Sequence, residues 1–236
     1  MNGFAKLLRL ELTLQRRSFI LPATVVSTAV ICGLVLLLPT RPPSPKVTAF
    51  FVFMDPATIG MSFVGAMVLM EKAQGTLDAL AVTPVRPTAY VAAKAVALTL
   101  LTFGSGLVVA AAATRGDFDG PRLIVALGLC SAVAVLIGLA CVAGASSMNH
   151  FVITLLWVST ALYLPLLAHF GIVSGHTATI LAPIPSYAML VLLTSAVSPE
   201  AMSAPLMAGA YLAVWVALGF WWTVRSFERS IVSEGR

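Results

Sequence analysis

The sequence predicts an all-α membrane protein that crosses the bilayer several times. Of its 236 residues, 59% are hydrophobic and only 10% are charged. The mean hydropathy is +0.99. Apolar runs long enough to cross a hydrocarbon core of about 30 Å recur along the chain. Together these values exclude an ordinary soluble domain. The formal net charge of +5 does not point to nucleic acid, because the basic residues cluster beside apolar runs, where anionic lipid headgroups supply the counter-charge. Cys32, Cys130 and Cys141 all fall inside apolar runs and form no metal-like spacing. They read as small buried side chains.

Taken in order, residues 2–17 have the pattern of an amphipathic helix at the membrane surface (1–18 as a domain). Lys6, Arg9, Thr13 and Arg16 recur on one side, and Phe4, Leu7, Leu8 and Leu14 gather on the other. Glu11 breaks the pattern by landing in the apolar face. Either it faces protein and pairs with a base, or it reaches sideways to water. Six spans follow at about 19–38, 49–70, 89–113, 121–144, 151–170 and 204–224, making a six-span membrane region of 19–225 and a tail of 226–236. The first run is too long for a signal-peptide core, and no cleavage site follows Leu38-Pro39-Thr40. It reads as a retained span. The proline-rich segment 39–46 reads as a stiff, extended outer loop.

In the second span, Asp55-Pro56 reads as an N-cap with proline at the first helical position, so a regular helix is expected to begin at Pro56. At α-helical spacing, Asp55, Thr58, Ser62 and Gly65 form one stripe. An intramembrane acid is costly and is often functional. Asp55, Thr58 and Ser62, with Trp157 of the fifth span, are therefore candidates for a translocation pathway. Capping alone also explains Asp55. The third and fourth spans are rich in small residues (Gly104, Gly106, Gly128, Ala134, Gly138, Gly144), which suit close helix packing in lipid. The mixed-charge segment 115–122 reads as an outer loop, and its aspartates lack the count and spacing of a calcium loop. Residues 146–150 read as a simple turn.

The stretch 172–200 decides the topology. Pro183 and Pro185 interrupt it, and a seventh span there would put the basic C-terminal end outside. With six spans both termini are cytoplasmic. The inner segments then hold Lys6, Arg9, Arg16, Arg17, Lys72, Arg86, Arg225, Arg229 and Arg236, and the outer ones only Arg41, Lys46, Arg115 and Arg122. On this reading, 172–200 is a re-entrant or surface-lying hairpin, and Trp221 and Trp222 belong at the inner interface with Arg225 as anchor.

No glycine-rich phosphate loop with its lysine occurs, so ATP binding by that route is not expected on this chain. His150, His169 and His176 are the only histidines and do not make a metal site, since two on one side without a third ligand are too few. No serine nucleophile with a nearby base and no paired intramembrane carboxylates can be assembled. A bundle that moves something without a visible engine implies an engine on another chain.

The longest polar interruption on the inner side is Glu71-Lys72-Ala73-Gln74-Gly75-Thr76-Leu77-Asp78-Ala79-Leu80-Ala81-Val82-Thr83-Pro84. Gly75 permits a sharp exit, Thr76 can cap a helix, Asp78 complements its dipole, Leu77, Leu80 and Ala81 share a face, and Pro84 stops it. A short helix over 75–84 across the cytoplasmic mouth is the expectation. With Tyr90 and Lys94 beyond it, this run resembles the membrane subunit of a type-2 ABC exporter. The segment 55–94 is also similar to bacterial fluoroquinolone-efflux permeases. Ala73-Gln74 and Ala182-Pro183-Ile184-Pro185 depart from the common pattern.

The resemblance implies a transport subunit rather than an enzyme, in a bacterial plasma membrane, exporting drugs or other small amphipathic molecules. It implies a separate ABC ATP-binding subunit that carries ATP and magnesium, and a second permease copy or homologue. It implies that Gly75, Thr76, Leu77, Asp78, Leu80, Thr83 and Pro84 contact the ATPase as a coupling helix, while Glu71, Lys72, Lys94 and Glu11 transmit force. Export of lipid, haem or polysaccharide, a lipid-modifying enzyme, and a membrane scaffold are the competing readings.

Overall fold

A computed structural model describes residues 3–40, 42–74, 87–145, 147–198 and 205–234. The described residues are helical, without strands. The helices are α1 (Gly3–Arg17), α2 (Ile20–Leu36), α3 (Pro45–Asp55), a π-helical turn (Pro56–Gly60), α4 (Met61–Ala73), α5 (Pro87–Thr114), α6 (Gly120–Ala143), α7 (Met148–Tyr163), α8 (Pro165–His169), α9 (His176–Leu181), α10 (Pro185–Val197) and α11 (Pro205–Glu234). Five helical segments are long and apolar enough to cross a membrane: Pro45–Lys72, Thr88–Thr114, Gly120–Ala143, Met148–His169 and Pro205–Arg229. Phe4–Arg17 and Ile20–Leu36, meeting at a 65° bend, make a sixth if taken together. The protein is a multi-pass membrane bundle.

Lipid is as apolar as a protein interior, so burying leucine does little to decide which face turns inward; close approach and polar contacts decide it. Helix α6 is the central post, packed against α4, α5, α10 and α11. A Cβ at Gly138 would lie 2.7 Å from the Met61 carbonyl oxygen, one at Gly106 2.8 Å from Leu127, and one at Gly65 1.8 Å from the Phe151 ring. These three glycines permit contacts that alanine would push apart. Gly104, Gly128 and Gly144 meet nothing within 4 Å. The small-residue pattern therefore overstates the packing, because only part of it faces a neighbour inside this chain. Leu123, Leu127, Leu190, Leu193 and Leu212 form one apolar cluster, and Val64, Leu98, Leu139, Phe151 and Phe227 are in the other.

Local signals explain most helix starts. Ser44 accepts from the Val47 amide with Pro45 at the first position, Asp119 accepts from the Arg122 amide, and Ser147 accepts from the His150 amide. The second span departs from expectation: its helix begins at Pro45, not Pro56, and Asp55 lies within it and caps nothing. Pro56 has no N–H for the Val52 carbonyl, and the chain takes a wider π turn instead of restarting. That turn also breaks the expected stripe. Asp55 and Gly65 are buried, Ser62 is half-buried and Thr58 is exposed, because the added residue per turn rotates everything after it.

Between Met148–His169 and α11 lies α10, whose 13 residues include Ser186, Met189, Leu190 and Leu193 among its buried side chains. The Asp119 amide donates to the Ala196 carbonyl, tying the 115–119 segment to this helix. The boundary expected at residue 225 falls inside a continuous helix: α11 runs on to Glu234, and Phe227 is buried against Tyr90, with ring centroids 5.9 Å apart. Arg225 sits over the Trp221 ring at 5.3 Å.

Candidate functional site

One stripe of α5 carries two buried polar sites. Tyr90, Lys94, Leu98, Thr102 and Ser105 recur at spacings of four, four, four and three, so they share a face, and all five are buried. At the N-terminal end of that stripe, Lys94 is wholly buried. Its ammonium lies 2.7 Å from Glu71 Oε1 at the end of α4 and 3.0 Å from Glu11 Oε2 on α1. The Tyr90 hydroxyl donates to Glu71 Oε2. The ammonium also sits 5.2 Å from the Tyr90 ring centroid, within cation–π range. The Lys72 ammonium donates to the Ala145 carbonyl at 3.4 Å, joining the end of α4 to the segment between α6 and α7.

The α1 pattern explains why Glu11 is there. The side chains that turn inward are Leu7, Leu8, Glu11, Gln15 and Ser18, whereas Phe4, Leu10, Leu12 and Leu14 are exposed. The apolar face is thus shared between lipid and protein, and Glu11 marks the protein side. Burial pushes the Glu11 carboxyl above its ordinary value of 4.5; the Lys94 ammonium pulls it back, and the Glu71 charge adds to the rise. Two carboxylates sharing one ammonium lock three helices together.

Asp55 is the second site. Its side chain is inaccessible. Thr28 of α2 donates to Oδ1 at 3.2 Å, and the Ser105 hydroxyl of α5 bonds to Oδ2. Ser105 Oγ also lies 3.1 Å from the Thr102 carbonyl oxygen. Eleven residues separate Lys94 from Ser105, about 16 Å along a helix rising 1.5 Å per residue. The two sites therefore sit about three turns apart on one helix.

Sequence comparison supplies the context for this arrangement. The profile of the fluoroquinolones export permease protein family matches residues 2–235. The chain belongs to that family. Its relatives include fluoroquinolones export permease proteins of Mycobacterium tuberculosis, one from strain CDC 1551 / Oshkosh and one from strain ATCC 25618 / H37Rv. Each is 36% identical over 110 residues, which is 47% of this chain and 46% of the relative. The chain thus matches about half the length of these curated relatives.

Of the residues singled out in this family member from sequence, Glu11, Glu71 and Lys94 converge on one cluster, with Lys72 beside it. Residues 75–84, including Gly75, Thr76, Leu77, Asp78, Leu80, Thr83 and Pro84, lie outside the described residues. Of the pathway candidates, Asp55 is enclosed, Ser62 is half-buried, Thr58 is exposed, and Trp157 is 72% exposed on α7. Sequence reasoning placed Tyr90 only within a motif and missed Thr28 as a partner of Asp55. Ser105 lies between Gly104 and Gly106, two of the small residues read as packing positions. Thr28 lies 27 residues from Asp55 and Ser105 lies 50 away, so the inner-stripe spacing from Lys94 to Ser105 was the one signal available.

Proposed function

We propose that this chain is the membrane subunit of an ATP-driven exporter of the type-2 ABC class, moving drugs or other small amphipathic molecules out of the cytoplasm or inner leaflet of a bacterial plasma membrane. Both termini are cytoplasmic in this reading. A separate ATP-binding subunit holds ATP and magnesium, and a second permease copy or homologue completes the pore.

The observation that carries the reading is the buried Lys94. Through Glu11 and Glu71 it ties α1, α4 and α5 together, and α4 and α5 flank in sequence the 75–84 stretch that would receive the ATPase. A push on residues 75–84 would reach the second and third spans through Glu71 and Lys94, and the surface helix through Glu11. Breaking a buried pair by removing one partner costs roughly 3–5 kcal/mol, so the three helices would move as a unit.

Other features fit the same architecture. Helix α10 is 13 residues long, about 20 Å against a core of about 30 Å, and suits one limb of a re-entrant outer hairpin over 172–200. The exposed face of α7 around Leu156 and Trp157 suits lipid or the second permease copy. Coexpression with the cognate ATP-binding subunit tests the proposal. Asp78→Lys should lower copurification of that subunit several-fold at unchanged permease level. Wild-type copurification together with normal export would contradict the docking assignment.

A further inference from the structure

The Asp55 cluster is not used by the force-transmission reading, and it raises a charge problem of its own. A carboxylate enclosed at membrane depth needs a cation, several donors or a proton. Among the described residues, none forms an ion pair with Asp55. Its donors there are the hydroxyls of Thr28 and Ser105. The described residues of the neighbouring elements offer no counter-charge at hand. Helix α2 contributes Cys32 as a titratable neighbour. Helix α5 has Lys94, about 16 Å down the axis from Ser105 and already engaged by two acids, and Tyr90, about 22 Å away and bonded to Glu71. Helix α6 meets the π turn through Ala134 and Val135; its ionisable residues are Arg122, held by Asp119, and Cys130 and Cys141. Helix α10 has only Tyr187, and α3 itself has Lys46 nine residues away.

Counting hydrogens sharpens the point. Ser105 has one hydroxyl hydrogen and two acceptors within reach, Asp55 Oδ2 and the Thr102 carbonyl at 3.1 Å. If Asp55 is ionised, the negative charge faces two neutral hydroxyls. If Asp55 is a carboxylic acid, Oδ2–H donates to Ser105 Oγ, Ser105 donates to Thr102, and Thr28 donates to Oδ1. Each hydrogen is then used once.

We propose that Asp55, Thr28 and Ser105 form a proton-binding site that pins α2 and α5 to the π turn of the second span. The bound proton keeps the acid neutral while the cluster is closed. When α2 and α5 part from the π turn and water enters, the carboxyl transfers its proton to water and becomes a carboxylate. Opening of the bundle at this depth is therefore linked to proton release. The π turn makes such parting local, since a helix with an inserted residue already lacks the regular hydrogen-bond ladder there. Nothing in this inference requires the ATPase.

The test labels the aspartate carboxyl carbons of the purified chain in lipid nanodiscs and records their protonation at neutral pH by infrared and NMR spectroscopy. The chain has only Asp55, Asp78, Asp117 and Asp119. One signal of the four is expected to be a protonated carboxyl, to disappear in Asp55→Asn, and to shift in Ser105→Ala. It should be the same in sodium and sodium-free buffer. Asparagine can donate to Ser105 as the acid does, so Asp55→Asn should fold; if it does not, the wild-type signal and its Ser105→Ala shift still decide the matter. Four ionised aspartates in the folded wild-type chain would overturn the proposal. A carboxyl protonated only without sodium would make this a cation site instead and overturn it equally.

Discussion

The two buried polar sites on α5 solve the same problem in opposite ways. At Lys94 the charges are kept and compensated: one ammonium, two carboxylates and a tyrosine hydroxyl, drawn from α1, α4 and α5. At Asp55, among the described residues, a single acid meets two hydroxyls, from α2 and α5. The first arrangement is rigid because the departure of any one of the three helices breaks an ion pair with Lys94. The second is separable, because Thr28 and Ser105 can fall back on carbonyls of their own helices. The bundle should therefore move as a block around Lys94 and open around Asp55.

The largest expected effect is at the charged site. Lys94→Ala strands two carboxylates in a buried space and should destabilise the fold by about 3–5 kcal/mol. A thermal melt of the detergent-solubilised chain measures it, and a loss equal to that of an exposed-lysine control would erase the contrast. Next comes the close approach that holds the π turn in place. Gly138→Ala sets a Cβ 2.7 Å from the Met61 carbonyl oxygen and should cost about 1–3 kcal/mol. Gly128→Ala, with nothing within 4 Å, should leave the melt unchanged.

A smaller effect is expected at the uncharged site. Asp55→Ala should cost about 1–2 kcal/mol, because the hydroxyls it abandons have other acceptors, and Asp55→Asn should cost less. A loss at Asp55→Ala as large as at Lys94→Ala would mean that the two sites are equally rigid.

The smallest effect concerns pH. The folded chain holds the Glu11 proton more tightly than the unfolded chain, since burial raises that carboxyl above 4.5. Stability from this group is therefore present at low pH and is lost as pH rises through the folded value. Glu11→Gln should flatten that slope in pH-dependent melts, and an unchanged slope would assign it elsewhere.

How much of this was legible in the chain follows from the range of each signal. Spans are written in continuous hydropathy, and their positions agree with the helices to within a few residues, apart from the second, which starts at Pro45, and the sixth, whose helix runs on to Glu234. Glu11 was visible as an acid in an apolar face because a helical wheel needs only local sequence. Its partner, 83 residues away, was not. Asp55-Pro56 was misread because an acid before proline is a sound local capping signature, and only the flanking helix shows that no cap is needed. The π turn itself leaves no mark in composition, so the stripe through Thr58 and Ser62 was drawn with the wrong period. At Lys94 the motif and the geometry meet, and that is why the account rests there.

The most direct test of that account is Glu71→Gln in the reconstituted complex with the ATP-binding subunit, measuring copurification, ATP hydrolysis and export together. Force passing through the Glu71–Lys94 contact predicts normal copurification and hydrolysis with export reduced several-fold. Undiminished export at normal hydrolysis would contradict it.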